Sequence, residues 1–304
     1  MGRNRTFSML IKNAFNPVFS LLARACERSE PAAEFIRSLD FRGKGCIVER
    51  IRSDAMTREV TTACDGVRYR LDLRDDVQRE IYFNIFERRE LKCALELIPA
   101  GGICIDVGAN NGAFALQFAR TVGPNGIVHA FEPDAEIFAR LQTNCRLNGF
   151  EAFLKCHQLA VSNVTASLTF HRSDPRHSGW GSLEEFQDIA SQRETVESIT
   201  LDDFVNREAI RRVDFLKVDI EAHEPELLEG ARDSLRNRVF RYLMIEFNGI
   251  RLNERGKSLE EFLAPILGNG YTSVGFRKPG LEDLRNTTIA PESVCTSLLF
   301  SAQN

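Results

Sequence analysis

Acids and glycines concentrate at two places in this 304-residue sequence, and their spacing suits the handling of a small charged ligand. The first place is Asp106-Val107-Gly108-Ala109-Asn110-Asn111-Gly112. Glycines at 108 and 112 permit a tight turn and close backbone approach, and a helix starting after them would turn unpaired N–H groups toward an anionic ligand end. Glu132 follows 20 residues after Gly112, where an acid can accept hydrogen bonds from both ribose hydroxyls. A dinucleotide fingerprint would need glycine where this chain has Asn110, so a pyrophosphate would meet a side chain there. The Asp-x-Gly-x-x-x-Gly spacing fits instead a ligand with an amino acid end. We therefore expect an adenosine-containing cofactor at Asp106, Gly108, Asn110, Gly112 and Glu132; the competing reading is a set of plain structural turns.

The second place is Lys217-Val218-Asp219-Ile220-Glu221-Ala222-His223-Glu224. Its acids stand where an apolar run ends, and in an open α/β sheet that edge carries ligands. Glu224 and Glu226 read as acids favouring the start of the next helix. Asp219 and Glu221 are open to either reading. His223 is a candidate base, since a neutral imidazole can take a proton from a hydroxyl near pH 7; the competing reading is a surface histidine. Glu246 follows four apolar residues and must meet a polar site or solvent, because an unpaired buried carboxylate is costly. The glycine-containing loop 176–182 carries Trp180, the single tryptophan, and reads as a lid or acceptor wall. Asp219, Glu221 and Glu246 could gather around Mg²⁺, although no resident metal is expected.

These residues need elements to hold them. From residue 102 onward short apolar runs alternate with helical segments, the mark of βαβ units on a parallel sheet. Strands are predicted at 102–107, 127–131, 155–161, 167–170, 213–218, 240–247, 271–275 and 295–301. Helices are predicted at 111–120, 134–148, 224–236 and 258–267, with Asp134 as N-cap and Gly149 closing the second of these. His129, inside an apolar strand, reads as a satisfied core residue. Ahead of this lies an accessory region of helical and small β elements, ending in a helix over 76–98. The expected division is therefore an accessory region at 1–98 and a catalytic domain at 99–304.

Thirty-nine basic and 43 acidic residues give a formal charge of −4, which supplies no global field for nucleic acid. The eight cysteines lie at least eleven positions apart, so no CxxC metal or redox pair exists, and they read as structural thiols of a cytoplasmic protein. No apolar run approaches the roughly 20 residues that span a bilayer. Near the N-terminus Arg3, Arg5, Lys12 and Arg24 accompany Phe7, Leu10, Ile11, Ala14, Phe15, Val18 and Leu22 at helical spacing. Three readings are open: a packing or homodimer helix, a membrane-surface helix with weak contact, or a targeting peptide. Packing is favoured because Pro17 interrupts the pattern.

The runs CIDVGANNGAFALQFAR, GIVHAFEPDAEIFARLQTNCRLN, LAVSN, ESITLDDF and DFLKVDIEAHEPELLEGA, in that order over residues 100–250, resemble the FkbM-type S-adenosylmethionine-dependent methyltransferases. The resemblance implies an α/β fold, a Rossmann-like seven-stranded class I methyltransferase sheet with helices on both faces and one antiparallel strand near its C-terminal edge. It implies that Asp106, Gly108, Asn110 and Gly112 surround the methionine end of S-adenosylmethionine, that Glu132 holds the ribose, and that Asp219 belongs to the cofactor and acceptor pocket. It also favours a site role for Glu246. The family usually has Gly after the acid at 221, whereas this chain has Ala222, which matters if the position needs φ > 0. The expected reaction is O-methylation of a small-molecule hydroxyl, such as a sugar or polyketide-like product, with Asp219, Glu221 or His223 as base. The alternatives are a nucleic-acid or protein methyltransferase and a cofactor-binding protein without turnover.

Overall fold

The computed structural model describes residues 17–41, 43–56, 59–276, 280–285 and 290–303. The chain divides into two compact units, residues 1–88 with 175–177, and residues 89–174 with 178–304.

In the first unit a helix over residues 17–28 precedes the helices Glu30–Ser38 and Lys44–Val48. The predicted amphipathic run from Phe7 to Leu22 lies mostly outside the described residues. Strands β1 (Val60–Cys64) and β2 (Val67–Leu71) form an antiparallel hairpin. Its turn is Asp65-Gly66, both at positive φ (48° and 79°), the pairing that matches strand twist in a two-residue hairpin. Val67, Tyr69 and Leu71 are buried while Arg68 and Arg70 face outward. The single helix expected over 76–98 is two helices, Asp76–Tyr82 and Arg88–Leu97. Asn84 and Glu87 adopt positive φ between them, a backbone that no α-helix contains.

The second unit is built on a seven-stranded sheet. Its strands are β3 (Ile103–Val107), β4 (Ile127–Phe131), β5 (Leu154–His157), β9 (Val213–Val218), β10 (Phe240–Asn248), β11 (Tyr271–Ser273) and β12 (Cys295–Ala302). The spatial order is β11-β12-β10-β9-β3-β4-β5. β5, β4, β3, β9 and β10 run parallel, and β12 is antiparallel to both β10 and β11. The chain thus starts at the centre, winds to one edge, returns and winds to the other, leaving the reversal of order between β3 and β9, where open sheets bind ligands. Cys104, Ile105, Val107, Phe215, Leu216 and Val218 are almost fully buried, as expected of central strands covered on both faces.

The predicted strand over 155–161 is two strands. β5 stays in the large sheet, while β6 (Ala160–Val161) joins β7 (Ser167–Arg172) and β8 (Gln192–Ile199) in a separate three-stranded sheet of order β6-β8-β7. The helix expected over 224–236 is also split, into Glu224–Glu229 and Arg232–Arg236. Gly230 lies against the Ser162 carbonyl oxygen, which an added Cβ would approach to 2.1 Å. The helix Ala135–Asn148 begins as predicted, with Asp134 accepting from the N–H groups of Glu136 and Ile137. His129 is a buried core residue, its Nδ1 3.1 Å from His157 Nε2, and burial pushes both imidazoles down to about 4.

Candidate active site

The carboxyl ends of β3, β4, β9 and β10 bring the two acidic constellations together. Asp106 is the penultimate residue of β3, opposite Lys217 on β9. It is 1% exposed and neither carboxylate oxygen has a hydrogen-bond partner. Burial pushes this acid up to about 6, against the opposing pull of Lys217. Lys217 lies buried, 4.6 Å from the centre of the Phe114 ring, and its Nζ donates to Asp219 Oδ2 at 2.9 Å. One buried cation thus stands between the acids of two adjacent strands.

The loop after β3 is fastened on several sides. Gly108 and Ala109 donate to the Phe131 carbonyl, and Asp219 N–H donates to the Val107 carbonyl. Gly108 has φ +79°, and an added Cβ would lie 1.8 Å from the Asp219 carbonyl oxygen. Gly112 has φ +98°, with Leu141 and Leu116 side chains at 2.9 and 3.0 Å from that position. Both glycines therefore sit in close packing within the fold, against backbone at Gly108 and leucine side chains at Gly112, in backbone conformations that favour glycine. Asn110 adopts φ +48°, a region asparagine tolerates better than most residues. Its Oδ1 accepts from Asn111 N–H at 2.7 Å and its Nδ2 donates to Ser178 Oγ at 3.3 Å.

Glu132 is buried, with Oε2 accepting from Asn110 N–H and Oε1 from Asp134 N–H, both at 2.9 Å. It ties the glycine loop to the end of β4, and a second lone pair on each oxygen remains for a ligand hydroxyl. Burial pushes its carboxyl up to about 8. Asn111 is not among the residues that the sequence singles out. It is 0% exposed, and neither its side-chain oxygen nor its nitrogen has a partner. Buried polar atoms normally find partners, so the orphaned atoms of Asp106 and Asn111 beside a glycine turn fit a ligand with an amino acid end.

Asp219, Glu221 and Glu246 each offer a carboxylate oxygen, and these atoms lie within 4.8 Å of one another. Burial, then the charges of Asp219 and Glu224, push Glu221 up to about 8. Burial and the same group of acids hold Glu246 well above the usual carboxylate range. Glu246 Oε1 accepts from the Cys295 thiol at 3.0 Å, while Oε2 is buried without a partner. Cys295, expected to be a structural thiol inside a strand, is instead exposed at the start of β12, where the antiparallel strand meets the end of β10. Only pairing between strands 49 residues apart brings it there.

His223 is not grouped with these acids. It is 7% exposed, its Nε2 2.8 Å from Ser162 Oγ and its Nδ1 2.6 Å from Glu184 Oε1. Arg255 Nη2 joins Glu184 at 2.9 Å and Glu226 at 2.7 Å. Both ring nitrogens are therefore engaged in a buried network. Glu224 is 0% exposed and its Oε1 accepts from Ile220 N–H at 2.9 Å, so it holds the loop that carries Glu221.

Glu221 and Ala222 both adopt positive φ, +51° and +68°. The carbonyl of Glu221 accepts from Ser182 Oγ at 2.8 Å, and that of Ala222 accepts from Arg255 Nη1. The position after Glu221 thus has the backbone that favours glycine, with alanine in place. Ser178 contacts the glycine loop and Ser182 the acidic turn, so residues 178–182 bridge the two halves of the site. Trp180 stands between them, 46% exposed.

This strand order, with acids gathered at its reversal point, is the architecture of a Rossmann-like class I methyltransferase. The family model described as "Methyltransferase FkbM domain" matches residues 106–277, more than half of the chain, and the protein belongs to that family. It is a methyltransferase whose cofactor is S-adenosylmethionine. The chain is 29% identical over 231 residues to the 31-O-demethyl-FK506 methyltransferase FkbM of Streptomyces tacrolimicus, covering 66% of this chain and 84% of that protein. It is 24% identical over 153 residues to the 2-O-methyltransferase NoeI of Sinorhizobium fredii, covering 46% of this chain and 61% of that one. Among solved structures, Aeropyrum pernix fibrillarin with natively bound S-adenosyl-L-methionine is 12% identical over 80% of this chain and 82% of that one. Its TM-score of 0.41 is too low to bear on function. Among the described residues no helix is long and apolar enough to cross a membrane.

Proposed function

We propose that the protein methylates a hydroxyl oxygen of a small molecule, with the Asp219, Glu221 and Glu246 cluster receiving the acceptor. The observation that carries this reading is the convergence of three carboxylates, two of them held above their ordinary range, beside the cofactor loop. When bound, S-adenosylmethionine supplies an electrophilic methyl group open to direct displacement, so the protein needs no nucleophile of its own. Asp106, Asn111 and Glu132 would hold the cofactor through their buried oxygens and nitrogens. The loop 178–182, fastened to the glycine loop and to the acidic turn, would cover the space between the two halves. A proton acceptor works best when its pKa lies near the working pH, and Glu221 at about 8 meets that condition. The names of the two relatives, both O-methyltransferases by description or by substrate, point the same way.

The test is transfer of labelled methyl from S-adenosylmethionine to a panel of sugars and hydroxylated polyketides, with RNA and protein in parallel. Label on an alcohol oxygen is expected, and Glu221→Gln should lower kcat about 100-fold while S-adenosylhomocysteine still binds. Label only on RNA or protein, or full activity in Glu221→Gln, would overturn the assignment.

A cation-assisted variant rests on the same geometry, because three carboxylate oxygens within 4.8 Å form a hard oxygen set suited to Mg²⁺. In that variant the three acids would lower the acceptor hydroxyl's pKa through the metal rather than take its proton directly. Activity that disappears with chelator and returns with Mg²⁺ selects it; activity indifferent to chelator selects the base.

A further inference from the structure

The first unit carries a cationic depression that the methyl-transfer site does not use. It has a volume of about 480 Å³ and is lined by Ser20, Arg24, Glu27, Arg28, Arg50 and Arg52. Arg24 and Arg28 stand one turn apart on the helix over 17–28, so their side chains emerge side by side. Arg50 and Arg52 come from the turn that follows the helix Lys44–Val48.

Four arginines and one carboxylate line it, and the Arg50 guanidinium donates to the Cys46 carbonyl. Glu27 is already committed: its Oε1 accepts from Arg52 N–H at 2.9 Å and lies 3.5 Å from Arg52 Nε. Arg24 and Arg28 are exposed and have no hydrogen bond or ion pair among the described residues. Like charges spaced i, i+4 oppose helix formation, so an anion seated beside Arg24 and Arg28 relieves their repulsion.

We propose that this depression is a binding site for a phosphate-bearing ligand. The planar fork of a guanidinium matches two phosphate oxygens at once, and several such forks discriminate a dianion from a carboxylate. The volume falls in the range of small-ligand pockets and exceeds what one bare phosphate fills, so the ligand carries further groups. Val18 and Leu21 are exposed, 48% and 68%. Leu21 precedes Arg24 and Arg28 by three and seven positions and shares their helix face. An apolar stripe running into paired arginines suits a phosphate ester with an apolar body. That chemistry belongs both to the headgroup of an acidic phospholipid and to a soluble phosphate ester.

The full chain is titrated calorimetrically with pyrophosphate at low salt and, separately, sedimented with vesicles of phosphatidylglycerol or of phosphatidylcholine. Wild type is expected to bind pyrophosphate, phosphatidylglycerol vesicles, or both, and to lose affinity steeply as salt rises. Arg24→Ala with Arg28→Ala should weaken that binding at least tenfold with unchanged thermal unfolding. Arg120→Ala, which removes one exposed guanidinium from the other unit, should leave it intact. Binding to phosphatidylglycerol alone assigns the lipid headgroup, and binding to pyrophosphate alone assigns a soluble ester. Absence of binding to either probe overturns the proposal, as does an Arg24, Arg28 double variant that binds like wild type or an equal loss in Arg120→Ala.

Discussion

Gly108 is where the glycine loop after β3 and the acidic turn after β9 press against each other. Its φ is +79°, and a methyl group added there would sit 1.8 Å from the Asp219 carbonyl oxygen, which leaves no room for any side chain. Gly108→Ala is expected to destabilise the protein by about 3 kcal/mol, combining left-handed strain with overpacking. That corresponds to a drop of roughly 6–12 °C in Tm for a domain of this size, read by thermal unfolding. An unchanged Tm would mean that the loop after β3 does not touch the turn after β9. At Asp106 and Asn111 the opposite condition holds, since their buried polar atoms lack partners. The acids and the glycines are legible as sequence because their types and spacing are local facts. The orphaned state of Asn111 is not, because burial of a loop residue depends on what the rest of the chain lays over it.

The turn Glu221-Ala222 shows the same dependence among elements. Two consecutive residues other than glycine at positive φ cost about 1–2 kcal/mol each, and persist only where the surroundings hold them. Here Ser182 and Arg255 grip the two carbonyls, and Arg255 is itself anchored by Glu184 and Glu226. Removing the grip should let the turn relax and carry Glu221 away from Asp219 and Glu246. Arg255→Met is therefore expected to lower kcat about tenfold, and Ala222→Gly in the same chain should restore most of it, because glycine adopts this backbone without strain. A double variant no better than Arg255→Met would show that Arg255 acts otherwise than through the turn. His223 belongs to this clamp by its contacts, and its neighbourhood of acids in the sequence carries no sign of that. Ser162 and Glu184, its partners, lie 61 and 39 residues away.

Across the whole molecule, Asp106, Glu132, Glu221 and Glu246, all held above their ordinary range, gather at the carboxyl ends of β3, β4, β9 and β10. Burial pushes Asp106 up to about 6 and Glu132 and Glu221 up to about 8. A carboxyl raised on folding contributes stability that is present at low pH and is lost as pH rises through its folded value. The ligand-free protein should therefore lose thermal stability from about pH 4, where the unfolded carboxyls ionise, up to about pH 8, where the folded ones do. A cation favours the ionised acids, so affinity for S-adenosylmethionine should rise over the same interval. S-adenosylhomocysteine carries the same amino and carboxylate ends but a neutral sulfur, and its affinity should change less. Equal slopes for the two ligands in calorimetry would place these acids away from the sulfur.

The sequence by itself determined the alternation of strands and helices after residue 102, the glycine turn after β3, the capped helix after β4 and the family, because apolar periodicity, capping and glycine spacing act over a few residues. It did not determine the departure of β6 from the large sheet, the splitting of two helices, or the strand β8, whose residues show no marked apolar alternation. Tertiary structure alone decided which acids meet. Asp219, Glu221 and Glu246 converge because β9 and β10 are neighbours in register, whereas His223, two residues from Glu221, joins a separate network once the backbone reverses at positive φ. Spacing along the chain fixes what a residue can do, but the strand order and the turn fix which partners it does it with.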